Sequence, residues 1–177
     1  LPLIKMNNYN KDLDKNKANY IPLSPLTFIE RIKDVYPNYE ALIYGKRKYT
    51  WLDVYKRVIK FASALEKIGI GQGDTVSIMA ANTPELFEAH YSIPMTGAVI
   101  NTINTRLDTK TVAYILKHSD AKVFIVDRQF NKIVKKALEE LKKKIIIIDI
   151  DDKQANLPNY YKIGEHEYES FLLTGDE

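Results

Sequence analysis

Between a short apolar run and a helix start, the stretch GAVINTINTRLDTK (Gly97 to Lys110) carries one guanidinium and two side-chain amides. Arginine suits phosphate, because it stays charged and can bind two oxygens at once. Arg106 is therefore a candidate for holding an anionic group. Asn101 and Asn104 are read as turn residues that satisfy backbone groups. The plainer reading of Arg106 is an ion pair with a neighbouring acid.

Other residues with chemical potential are easier to set aside. Gly69-Ile70-Gly71-Gln72-Gly73-Asp74 is glycine-rich, but it follows a helix and feeds a strand. A phosphate-cradling loop has the opposite order, strand then helix, so this run reads as a helix stop and turn. His90 shares a helix face with Leu86, Phe87 and Tyr91 and is expected to be a packed, hydrogen-bonded core residue. His118 falls at a helix end and His166 lies among acids. No HxxxH or HExxH spacing exists, so no metal site is expected. There is neither a GxSxG elbow nor a GxxxxGK[ST] loop. The lysines of 132–144 are expected on a solvated helix face.

The elements that must position these residues follow from periodicity. A helix is predicted from Pro25 to before Pro37, then a hairpin with strands 41–44 and 48–49 about Gly45-Lys46-Arg47. Thr50, with Asp53 three residues on, reads as a capping box for the next helix. Strand Thr75–Met79 precedes a helix at Pro84 that Pro94 should kink or end. Strand Ala98–Thr102, helix Asp108 to about Lys117, strand Lys122–Val126, helix Phe130–Lys142 and strand Lys144–Asp149 follow. Short apolar strands alternating with amphipathic helices indicate an α/β fold, a largely parallel sheet flanked by helices. The expected divisions are a flexible arm at 1–25, an α/β unit at 26–150, and a loop and short helix at 151–177.

Composition narrows the classes. At 45% hydrophobic and 28% charged, the chain can bury a core. A net charge of only +3 argues against nucleic acid as the main partner. The charge is uneven, with seven Lys/Arg against two Glu in 128–144 and eight acids against two Lys in 149–177. The sequence has no cysteine, which rules out disulfides and thiolate metal sites and makes a cytoplasmic location the expectation. No apolar run reaches the length of a membrane span. The first residue is Leu and Met6 follows soon after, so an excerpt of a longer protein is expected.

Taken in order, YGKRKYTW, ALEKIGIGQGDTVSIMAANTPELFEAHYSIPMTGAVINTINTRLDT and AKVFIVD resemble the N-terminal part of the adenylate-forming acyl-CoA synthetases. Gly69 to Asp74 matches the family's G-x-x-x-GD turn, and Asn82-Thr83-Pro84-Glu85 its NxPE segment. Asn104-Thr105-Arg106-Leu107 matches N-x-R-L. The wording is closest to the branch acting on short, medium or methylthio-substituted acids. The resemblance implies an incomplete N-terminal subdomain of the AMP-binding fold, with a place in fatty-acid and lipid metabolism. It implies a two-step reaction: acid and ATP give acyl-AMP, and CoA thiol then displaces AMP. Its partners are a small carboxylic acid, ATP, Mg²⁺ and CoA, with a homo-oligomer left open. The Ser/Thr/Gly-rich P-K-G loop and the motifs for adenine, ribose and Mg²⁺ are absent, so no catalytic residue can be carried over and the chain alone is expected to be inactive. Only Arg106 is carried over, as a contact to the phosphates of CoA. The alternatives are a stand-alone α/β binding module, or another adenylate-forming branch that loads a carrier protein or resembles luciferase.

Overall fold

Local signals start most of the helices. Ser24 accepts a hydrogen bond from Leu26 N at 3.3 Å ahead of α1 (Pro25–Val35). Thr50 and Asp53 form the expected capping box, each side chain accepting from the other's backbone N–H, at the head of α2 (Trp51–Lys67). Asp108 caps α4 (Thr109–His118) by accepting from Lys110 N and Thr111 N. The computed structural model describes residues 14–18, 20–141, 143–155 and 161–177. Most of the expected N-terminal arm, 1–13 and Asn19, lies outside them, as do Lys142 and 156–160.

The hairpin β1 (Glu40–Tyr44) and β2 (Arg47–Thr50) pairs Tyr44 with Arg47. Arg47 therefore belongs to the strand, and the turn is Gly45-Lys46 alone. Gly45 takes φ +56°, the left-handed conformation such a two-residue turn needs.

The remaining strands form one sheet in the order β4-β3-β5-β6-β7. They are β3 (Thr75–Met79), β4 (Val99–Thr102), β5 (Val123–Asp127), β6 (Ile146–Ile150) and β7 (His166–Glu167). All four pairings are parallel. The chain enters at β3, moves out to β4 through α3 (Pro84–Met95), and returns across β3 to β5. After a 3₁₀ turn (Arg128–Phe130), α5 (Asn131–Leu141) leads onward to β6. Pro94 lies in the last turn of α3, which ends one residue later.

Alternation along the strands splits the core in two. Val76, Ile78, Val123, Ile125, Ile148 and Ile150 face α2, α3 and α6 (Tyr168–Leu172). Met79, Phe124, Val126 and Ile147 face α4 and α5. Both faces are thus covered, as near-continuous apolar strands require. β7 is the strand the sequence did not announce, because two residues carry no readable period.

β4 is an edge strand, and its Val99 is 57% exposed. An open edge bearing an apolar residue is a template for pairing with other chains. The 177-residue chain should self-associate as concentration rises, and Val99→Lys should reduce this in sedimentation velocity. A wild-type chain that stays monomeric at every concentration would show the edge to be inert.

Candidate functional site

In a doubly wound sheet the crevice lies outside the carboxyl ends of the strands, where successive crossovers leave for opposite faces. Here that place is between β3 and β5. Asp127, the last residue of β5, is the buried acid there. It accepts from Gln129 N at 3.1 Å and from Gln129 Nε2 at 2.6 Å, and the Ala81 backbone beside it also favours its charged form. Burial pushes its carboxyl above the ordinary range in spite of those bonds. Next to it, Arg128 pairs with Asp151 at 2.7 Å.

The hairpin tip is fastened to the same edge. Tyr44 Oη donates to Asp152 Oδ2 at 2.5 Å, and Gln154 Nε2 donates to Tyr44 O at 2.8 Å. The bond to Asp152, with burial, pushes the Tyr44 phenol up to about 12. A Cβ on Gly45 would fall 1.7 Å from Gln154 Oε1, so the turn glycine also makes room for this contact. Asp152 itself is buried, although it falls in the loop expected at the start of 151–177.

Behind the edge lies a chain of charges. Arg47 Nη1 and Nη2 donate to the two Glu85 oxygens at 2.7 and 3.3 Å. Burial raises the Glu85 carboxyl, but the Arg47 bonds outweigh it and hold the group below its ordinary value. Arg57 on α2 grips two carboxylates, Glu88 on α3 at 2.6 and 3.1 Å and Glu169 on α6 at 2.9 and 2.6 Å. Its guanidinium sits 5.3 Å from the centre of the Tyr49 ring. Fully buried Tyr168 donates to Glu88 at 3.0 Å. Burial pushes Glu88 upward, and Arg57 only partly offsets it.

Of the residues singled out by sequence, Arg106 is exposed on the β4–α4 link. Among the described residues its guanidinium makes no ion pair, so the plainer reading of it does not hold. The nearby acid, Asp108, is engaged as the α4 cap through Lys110 N, Thr111 N and Thr111 Oγ1. Asn104 accepts from Arg106 N at 2.9 Å, as a turn residue should. Asn101 does not act in a turn; it lies on β4 and donates to Ser77 Oγ at 3.0 Å.

His90 is hydrogen-bonded to Leu86 O at 2.8 Å but is exposed rather than packed in the core. Its face of α3 borders an open groove beside the hairpin, and helical periodicity cannot tell a groove from a core. His118 stacks on Tyr114 and His166 packs against Phe171. The Gly69–Asp74 run is a turn, with Gly71 N donating to Asp74 at 3.0 Å. Among the described residues no three His, Cys, Asp or Glu are grouped to hold a metal ion.

Sequence reasoning missed Arg57, Glu88 and Tyr168. The pairs Arg57–Glu88 and Arg57–Glu169 span 31 and 112 residues, distances over which no spacing rule operates. Removing one partner of a buried ion pair costs about 3–5 kcal/mol. Arg57→Met should therefore lower unfolding free energy by roughly that amount in urea titrations. Glu85 makes the pH prediction. Its depressed folded value means its contribution is complete above the unfolded value of about 4.3 and is lost as pH falls through the folded one. Urea midpoints between pH 6 and 3 should therefore fall less steeply for Glu85→Gln than for wild type.

The sequence profile of the family described as AMP-binding enzyme matches residues 29–170. An acetate–CoA ligase of Humulus lupulus is 43% identical over 175 residues, covering 93% of this chain and 31% of that protein. A peroxisomal benzoate–CoA ligase of Arabidopsis thaliana is 41% identical over 147 residues, covering 83% of this chain and 24% of that one. Among solved structures, an anthranilate–CoA ligase in complex with anthranoyl-AMP superposes with a TM-score of 0.76 at 23% identity. That match covers 85% of this chain and 28% of the ligase, and it speaks for the fold. The chain thus spans 24–31% of the length of these two curated relatives.

Proposed function

This chain belongs to the AMP-binding enzyme family, and on that premise we propose that it forms the N-terminal part of an ATP-dependent carboxylic acid–CoA ligase. One observation carries the reading: relatives 43% and 41% identical across most of the chain are both CoA ligases by name. The substrates are then a small carboxylic acid, ATP and CoA.

The described residues do not fit ATP and Mg²⁺. The links that open helices at the β3–β5 crevice, 80–83 and 127–130, contain no glycine to admit a phosphate, and the described residues hold no group of three His, Cys, Asp or Glu fit for a metal. Phosphate clamps and a metal are what adenylation requires. We therefore assign both to other parts of the full-length enzyme and none of the adenylation chemistry to these side chains.

Arg106 fits the thioester step better. It stands at the carboxyl edge, exposed, with no ion pair among the described residues, and a guanidinium there can take two phosphate oxygens of CoA. In the full-length enzyme, pyrophosphate exchange across a panel of acids tests the ligase reading; no exchange with any acid would overturn it. Arg106→Ala should raise the KM for CoA and leave that exchange nearly intact. An unchanged CoA dependence would return Arg106 to the surface.

For the compartment, the cysteine-free sequence supports the cytoplasm. The benzoate–CoA ligase relative is peroxisomal by name, so fractionation against a peroxisomal marker decides between them. No helix among the described residues is long and apolar enough to cross a membrane.

A further inference from the structure

The uneven charge of the sequence does not cancel in the fold. Acids of 149–177 are answered from elsewhere: Asp151 by Arg128 at 2.7 Å, Glu169 by Arg57 at 2.6 Å, Asp176 by Lys67 at 2.9 Å and Glu177 by Lys60 at 2.8 Å. The lysines of α5 are not answered. Lys132, Lys135 and Lys136 are exposed and make no ion pair among the described residues, and the same holds for Lys144 just past the helix.

Helix α4 lies beside α5 on one face of the sheet, and both turn their apolar stripes toward Phe124, Val126 and Ile147. Their exposed faces therefore point the same way, outward. On α4 that face carries Lys110, Tyr114 and Lys117 at helical spacing, both lysines without an ion pair among the described residues. Tyr114 is 64% exposed. The only acids within the two helices are Glu139 and Glu140, so a positive excess remains on this face.

The character of the face selects the partner. Its cations are lysines, strongly hydrated point charges with little geometric demand, whereas an arginine fork suits a defined phosphate. Two helices side by side make a broad surface, not a protruding element that could enter a nucleic-acid groove. A layer of anionic headgroups matches such a surface, since each lysine close to it adds to the attraction. A tyrosine ring, apolar with a polar tip, suits the headgroup level.

We propose that the outer face of α4 and α5 docks this protein onto a bilayer surface rich in anionic lipid. The attachment is peripheral, through charge and one aromatic ring. It does not use Arg106 and does not rest on the ligase reading.

The test is flotation of the 177-residue chain with phosphatidylcholine vesicles, with and without about 30% phosphatidylserine. Self-associated chain sinks and is not counted as bound. The chain should float with the anionic vesicles, stay below with the neutral ones, and be released at about 0.5 M salt. Lys132→Glu/Lys136→Glu should weaken the binding about tenfold or more. Lys46→Glu/Lys153→Glu makes the same change in net charge at exposed positions off this face, and should leave the binding nearly unchanged. Tyr114→Ala should weaken it several-fold at an unchanged thermal melt. Equal flotation with neutral vesicles, equal loss from the two lysine pairs, or no flotation at all would each overturn the proposal. So would tighter binding of polyuridine than of the anionic vesicles, which would make this a nucleic-acid surface. None of these outcomes touches pyrophosphate exchange by the full-length enzyme.

Discussion

The Arg57 guanidinium is the contact on which the arrangement of elements turns. An ion removed from water is tolerated only when every face of it is answered. Here Glu88 and Glu169 each take two of its hydrogen bonds, and Tyr49 covers its plane. Those partners come from α3, α6 and the hairpin, while the arginine comes from α2. Four elements are therefore set relative to one another at a single point, more narrowly than apolar packing would set them. Tyr168 completes the arrangement by donating to Glu88 and stacking on Phe61 at 4.4 Å.

From that point the order spreads to the carboxyl edge. With β2 and α3 in place, Arg47 meets Glu85, and the tip of the hairpin reaches Asp152 and Gln154. Leu42 and Tyr49 of the hairpin pack with Phe87 and Tyr91 of α3 on a small cluster of Ile29, Val54 and Val58 from α1 and α2, separate from the cores of the sheet. Polar contacts add to that packing in deciding how the hairpin stands over the loops after β3 and β6. The groove beside α3 is the space left between β1 and the first two turns of α3.

The sequence was legible wherever a local rule governed the outcome. Thr50 and Asp53 announced α2, Pro84 opened α3, and apolar runs bounded by turns gave the parallel strands. Bounds drifted by a residue or two where ends fray, as at β6, which starts at Ile146 rather than Lys144. What local rules could not reach was partnership. Arg57 reads as one more charge on an amphipathic helix until Glu169 is beside it. His90 lies on an apolar stripe, but that stripe faces a groove. Arg106 was visible as a candidate because its residue type and its place after a strand are both local facts. That Asp108 is engaged as the α4 cap, leaving Arg106 without an ion pair among the described residues, only the fold reveals.

The bond between Arg57 and Glu169 joins residues 112 positions apart. A ribosome delivers them in sequence, at about 5–20 residues per second, so several seconds separate the first from the second. During that interval Arg57 and Glu88 have each other but neither Glu169 nor the Tyr168 hydroxyl. The α2–α3 pair must wait half-answered, and water has to stand in for the missing groups. Closure of the guanidinium by α6 is thus a late event in the life of the nascent chain. Any holding factor that shields the unfinished face would act before residue 169 emerges and be displaced by the chain's own next helix.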